Sequence, residues 1–160
     1  MLFLLTLPVY AQTPDRTERI AFAAYRHGQW DIYSIAPDGT APRQLTDDLF
    51  EDTDPIYSPD GSKLAFASRR YGEADVFVMD VDGSNQTNLT DSAYNDTQPV
   101  WSPGGFKIAF VSDRDGNNEI YVMDADGLDA EASNLIRLTN NSASDTNPVW
   151  SPGPTGRYVE

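Results

Sequence analysis

Three copies of one pattern stand 44 residues apart, and a chain that repeats itself at that interval has few folds open to it. Ile20-Ala21-Phe22, Leu64-Ala65-Phe66 and Ile108-Ala109-Phe110 mark the copies. Gly28, Gly72 and Gly116 follow in step, as do Asp31, Asp75 and Glu119, then Tyr33, Phe77 and Tyr121, then Gly39, Gly83 and Gly127. Leu45-Thr46, Leu89-Thr90 and Leu138-Thr139 come next, and Asp-Thr-x-Pro closes each round at 52–55, 96–99 and 145–148. The last interval is 49, so five extra residues fall within 128–137. They sit just after an Asp-Gly turn, where an insertion only lengthens a surface loop.

Each unit reads as four short strands, because its apolar runs are brief, rich in aromatic and β-branched residues, and bounded by Gly, Asp, Asn and Pro. In the third unit they are predicted at Lys107–Ser112, Glu119–Asp124 and Asn134–Thr139. Before them comes the strand at Pro99, whose counterparts are at Pro55 and Pro148–Trp150. Turns are expected at 102–105, 113–116 and 126–127, where Gly supplies positive φ and Pro fixes the first corner. On the second strand of each unit Ile20, Phe22, Leu64, Phe66, Ile108 and Phe110 take one face, and Ala21, Ala23, Ala65, Ala67, Ala109 and Val111 the other. A sheet that is apolar on both faces must be covered on both sides. Stacking identical sheets radially does this, which gives an all-β fold, a β-propeller of four-stranded antiparallel blades. A sandwich of duplicated hairpins is the alternative.

The net charge of −14, from 25 acidic against 11 basic residues, disfavours nucleic acid and anionic membrane surfaces and favours neutral, basic or cationic partners. The chain has no Cys, which removes disulfides and thiolate metal sites. Residues 1–11 read as a signal peptide. MLFLLTLPV is apolar but too short to span a bilayer, and Val9 and Ala11 suit the positions before a cleavage point, although no basic flank precedes them. A buried N-terminal strand is the other reading of that run. Residues 12–18 would be a linker and 19–160 the repeats, in units of about 19–62, 63–106 and 107–156. Export implies a periplasmic or secreted protein with no membrane insertion once the leader is removed.

Trp101-Ser-Pro-Gly-Gly105, Lys107-Ile-Ala-Phe110, Ser112-Asp-Arg-Asp-Gly116 and Glu119-Ile-Tyr-Val-Met-Asp124 together resemble the repeat of TolB-like propellers, from about Arg19 to Pro152. The resemblance implies that the strand carrying Asp-x-x-Pro is the innermost of each blade. Two blades are then complete and two partial: the first unit lacks that strand ahead of Arg19, and Trp150-Ser-Pro152 with Arg157-Tyr-Val159 begins a further blade. Truncation, or assembly of several copies, would account for this. The first unit departs most from the pattern, with Ala24-Tyr-Arg-His-Gly28 at the hairpin.

Hydrolysis requires a nucleophile with a base beside it, and the sequence offers one His, no Cys and no Gly-x-Ser-x-Gly. His27 sits in a hairpin turn and is assigned no function. Asp38, Asp60, Asp82 and Asp126 lie in Asp-Gly turns, where such side chains cap the local backbone. Asp52, Asp96 and Asp145 each begin an inner strand and would gather near one mouth of a closed ring, where they are the candidate partner- or cation-binding set. Oxygen ligands suit Ca²⁺, the one cofactor considered; hydrogen bonding of each Asp to backbone at the start of its strand is the competing account. Asp113, Arg114 and Asp115 are a second candidate, set against an exposed hairpin with a local ion pair. Tyr57, Trp101 and Trp150 recur once per unit and read as packing between blades more than as a sugar platform. The Asn-x-Ser/Thr triplets at Asn85, Asn88, Asn95 and Asn140 matter only in a glycosylating host.

The resemblance implies a non-catalytic scaffold that engages a protein or peptide partner in the cell envelope. The alternative is the propeller portion of a larger hydrolase of the prolyl-oligopeptidase kind, with its catalytic domain beyond Glu160.

Overall fold

The computed structural model describes residues 18–125 and 134–153. The expected signal peptide, the Asp126-Gly127 turn and the strand start at 157–159 lie outside the described residues. Among the described residues eleven strands fall into three antiparallel sheets. The first is β1 (Ile20–Arg26), β2 (Gln29–Ile35) and β3 (Arg43–Gln44). The second runs β4 (Asp52–Tyr57), β5 (Lys63–Tyr71), β6 (Glu73–Asp80) and β7 (Thr87–Asn88), and the third β8 (Asp96–Trp101), β9 (Lys107–Ser112), β10 (Glu119–Asp124) and β11 (Ile136–Arg137). In both four-stranded sheets strand order follows the sequence, so each repeat is one blade. No helix among the described residues is long and apolar enough to cross a membrane.

The hairpins β1–β2, β5–β6 and β9–β10 set Phe22 opposite Tyr33, Phe66 opposite Phe77 and Phe110 opposite Tyr121. Those ring pairs lie 6.0, 5.6 and 5.9 Å apart, within the range where aromatic edges and faces attract. The first hairpin closes through His27 and Gly28, both at positive φ, the backbone that a two-residue turn needs to match strand twist. His27 is exposed there.

Large residues of one blade pack on the alanine-bearing face of the one before it. Leu64, Phe66, Phe77 and Met79 of the second blade meet Ile32, Leu45, Ala21 and Ala23 of the first. Ile108, Phe110, Tyr121 and Met123 of the third meet Ala65, Val76 and Val78 of the second, with Trp101 between them. Trp101 also donates its indole N–H to the Ile56 carbonyl across the blade boundary, at 3.2 Å. It is therefore a packing residue between blades, and Tyr57 lies against the core between the first two.

Two strands differ from their predicted extents. The fourth strand of the third blade is only Ile136–Arg137, because Thr139 leaves the ladder and uses its hydroxyl to accept the Ile120 N–H at 2.9 Å. Thr46 and Thr90 serve Ile32 and Val76 in the same way, at 2.9 and 3.0 Å. Pro148–Trp150 is not a strand, since no strand among the described residues lies beside it to accept its hydrogen bonds.

One turn glycine is fixed by a neighbouring blade. Gly83 has φ +92°, and a Cβ built there would lie 2.5 Å from the Leu45 carbonyl oxygen, whereas its counterpart Gly39, at φ +80°, faces open space. Gly39→Ala is expected to cost about 1 kcal/mol from backbone strain alone. Gly83→Ala should cost clearly more, because the first two blades must also separate. Urea denaturation of both variants checks this, and equal losses would contradict it.

Candidate functional site

Asp52 and Asp96 open β4 and β8 and are fully buried. Each meets an arginine from the hairpin of its own blade. Arg114 Nη2 donates to both Asp96 oxygens at 3.0 Å, and Arg70 Nη2 lies 3.5 Å from both oxygens of Asp52. The rest of each guanidinium is also occupied. Its Nε donates to Ser68 or Ser112, at 2.9 and 2.8 Å, and its plane covers Phe77 at 4.5 Å or Tyr121 at 4.8 Å. The arginine thereby ties the inner strand to the hairpin through an ion pair, a hydroxyl and an aromatic face. Ser92 adds a hydrogen bond to Asp96 at 2.8 Å.

The pairs are not equal. Arg70 also reaches Asp48 at 3.0 Å, whereas Arg114 has Asp96 as its one carboxylate among the described residues. Burial pushes the Asp52 carboxyl above the usual carboxylate range; the hydroxyls of Ser68 and Thr46 and the charge of Arg70 oppose this, and Asp48 adds to it. Asp145, the third of the set, is only half-buried. It accepts from Asn141 Nδ2 at 2.7 Å and pairs with no cation among the described residues. No three His, Cys, Asp or Glu side chains among the described residues are placed to hold a metal ion together.

A second set of buried acids holds the outer strands. Asp75 accepts from Asn88 Nδ2, Thr90 Oγ1 and the Ser92 N–H at 2.9–3.0 Å. Glu119 accepts from Thr139 Oγ1, the Asn141 N–H, Asn117 Nδ2 and Arg137. These bonds, Thr139 foremost, hold the Glu119 carboxyl at about 2 against an ordinary 4.5. The turn acids cap locally: Asp38, Asp60 and Asp82 accept the N–H groups of Thr40, Ser62 and Ser84. Asp113 accepts from Asn95 N and Nδ2, both at 3.0 Å, and Asp115 bonds the Tyr121 hydroxyl and Arg137. The Asp113-Arg114-Asp115 triplet therefore separates into three structural contacts.

A further polar row lies along the inner strands. Asp54, Gln98 and Asn147 occupy the x of Asp-Thr-x-Pro at φ 55°, 53° and 56°, and the first two stand where the pairing of β4 and β8 slips. Such bulges turn a side chain out of the ladder. The three are linked from blade to blade: Gln98 N–H donates to Asp54 Oδ2 at 3.3 Å, and Asn147 N–H to Gln98 Oε1 at 2.7 Å. Asp54 and Asn147 are exposed, and Gln98 is half-buried. The 44-residue step of Arg26, Arg70 and Arg114, not singled out above, could have signalled the arginine clasp, and the varied x position gave no signal for this row.

A family profile described as the TolB β-propeller domain matches residues 8–92. Among solved structures, a TolB-type protein of Agrobacterium tumefaciens is 32% identical with a TM-score of 0.71, over 84% of this chain and 50% of that one. TolB of Acinetobacter baumannii is 25% identical, TM-score 0.65, over 79% and 32%. A puromycin-hydrolysing peptidase of Mycobacterium tuberculosis shares the fold at 16% identity and TM-score 0.63, over 83% of this chain and 22% of the peptidase. The chain thus spans half or less of the length of these proteins. No curated protein matches it.

Asp96→Asn should cost about 3 kcal/mol, since it takes the fully buried Asp96 charge from the half-buried Arg114 that it holds. Asp52→Asn should cost about 1 kcal/mol or less, because Arg70 keeps Asp48 and a carboxylate that burial disfavours is removed. Chemical denaturation decides, and the reverse order would refute the account. Glu119 stabilises the fold above pH 4.5, and this contribution is lost as pH falls through about 2. Glu119→Gln is expected to lower stability at neutral pH and flatten that acid limb, which denaturation at a series of pH values would reveal.

Proposed function

Because the chain belongs to the TolB β-propeller family, we propose that it is a non-catalytic scaffold of the cell envelope, exported to the periplasm or beyond, that binds a protein or peptide partner. The observation that carries this reading is the division of labour among polar groups. The buried carboxylates are consumed by arginines, hydroxyls and backbone N–H groups, while Asp54, Gln98 and Asn147 form an outward polar row along the inner strands. A row of side chains spaced one per blade suits hydrogen bonding to an extended peptide or a loop. The net charge of −14 favours a basic partner and an attraction that salt weakens. This role calls on no cofactor.

The second reading, the propeller of a larger peptidase, draws on the shared fold with the puromycin-hydrolysing enzyme. A Gly-x-Ser-x-Gly motif in the reading frame beyond Glu160 would favour it.

Cross-linking in intact cells, followed by affinity purification and mass spectrometry, tests the scaffold. One envelope protein is expected, recovered at about 0.05 M salt, depleted at about 0.5 M, and lost with Asp54→Lys while the variant stays folded. Peptide hydrolysis by the purified full-length gene product, abolished by replacing a downstream serine, would overturn the reading.

A further inference from the structure

The repeat also shows which surface residues the fold does not require. Tyr25, Trp30, Leu49, Phe50 and Tyr71 stand at the boundary between the first two blades, at the end where the hairpins β1–β2 and β5–β6 close. One repeat later the same places hold Arg69, Ala74, Ala93, Tyr94 and Asp115, of which only Tyr94 is aromatic. That second boundary stacks as the first does, so packing calls for no aromatic cluster there. Yet Leu49 is 88% exposed, Tyr71 71%, Tyr25 61% and Trp30 38%. Large apolar side chains held in water at one boundary and absent from its repeat mark a surface for contact.

The elements fix where these side chains lie. Tyr25 and Trp30 are partners across the first hairpin, on the face that carries Ala21, Ala23 and Ile32 toward the second blade. Their rings are 5.6 Å apart and tilted by 59°, not stacked face to face. Exposure at this place is a property of the repeat, since Arg69, the counterpart of Tyr25 in a blade whose four strands are all described, is exposed too. From the second blade, Tyr71 stacks on Phe77, which belongs to the core shared with the first. The loop bearing Leu49 and Phe50 joins the two blades. It is held by Gln29 at the Asp48 carbonyl, by Arg70 on the Asp48 carboxylate at 3.0 Å, and by the Arg69 N–H on the Glu51 carbonyl at 3.0 Å.

Two properties choose the occupant. Arginines cover Tyr33, Phe77 and Tyr121, whereas among the described residues no cation lies over Tyr25, Trp30 or Tyr71. The neighbouring carboxylates are also loosely held. Glu51 and Glu73 share Arg69 at 3.6 and 3.5 Å in exposed pairs, which contribute little and exchange readily. Among the described residues Asp47 meets no cation, and accepts from Gln44 at 3.4 Å. Uncovered rings beside exposed carboxylates suit a cation carried on an apolar stem.

We propose that this boundary is a docking surface for a basic segment of a protein partner, an arginine or lysine laying its charge on the Trp30 and Tyr25 rings and its stem along Leu49 and Phe50. Asp47, Glu51 and Glu73 supply acceptors for its N–H groups. The surface is separate from the row of Asp54, Gln98 and Asn147 and does not depend on that row's role.

An arginine–glycine repeat peptide, with its citrulline counterpart as the neutral control, tests this on the full chain in about 0.15 M salt. The arginine peptide should move the indole N–H resonance of Trp30 and leave that of Trp101, which is bonded to the Ile56 carbonyl. In calorimetry, Trp30→Ala combined with Tyr25→Ala should weaken binding about tenfold, although neither alters the net charge. The fold tolerates alanine at this place, because Ala74 occupies it in the second blade. Trp30→Phe with Tyr25→Phe should keep most of the affinity, and Asp54→Asn should leave it unchanged. Equal binding of the citrulline peptide, an unmoved Trp30 resonance, affinity indifferent to loss of both rings, or loss with Asp54→Asn would each overturn the proposal. So would a neutral oligosaccharide that moves Trp30 where the arginine peptide does not.

Discussion

The contact on which everything else rests is that of a large apolar face against a small one, repeated from blade to blade. A four-stranded sheet of this size buries little by itself, and both faces of each central hairpin are apolar, so no blade has a way to satisfy its own surface. Phe66 and Leu64 have room because Ala21 and Ala23 leave it, and Phe110 and Ile108 because Ala65 does. The alternation within a strand, large then small, sets the direction of stacking as well as its depth.

Polar chemistry is subordinate to that stacking. Burying the starts of β4 and β8 puts a carboxylate where water cannot reach it, and Arg70 and Arg114 bring each a charge. Arginine suits this position because its flat guanidinium lies on the aromatic pair while its edge still reaches the aspartate. Asp75 and Glu119 do the corresponding work at the outer edge, where the fourth strand is only two residues long and needs side chains to hold it. The bulged positions of the inner strands, by contrast, take no part in these buried networks.

The repeat made the blades legible, including the bounds of Lys107–Ser112 and Glu119–Asp124, because strand length there is set by the alternation itself. Shorter outer strands escaped, since a threonine hydroxyl replaces the ladder and composition does not distinguish that from a continuing strand. Asp52 and Asp96 were singled out as a candidate binding set, whereas their contacts in the structure are with long side chains 18 residues away in sequence. Only the three-dimensional hairpin brings them together. The row of Asp54, Gln98 and Asn147 was hidden for another reason: what it shares is a backbone angle, and three different residue types adopt it.

Native-state hydrogen exchange resolved by strand tests the dependence of each blade on its neighbours most directly. The stacking account predicts that the amides of β5 and β6, covered on both faces, open only with the whole fold, while those of β1 and β2 exchange through a local opening at markedly lower free energy. Equal protection of the first and second blades would contradict it.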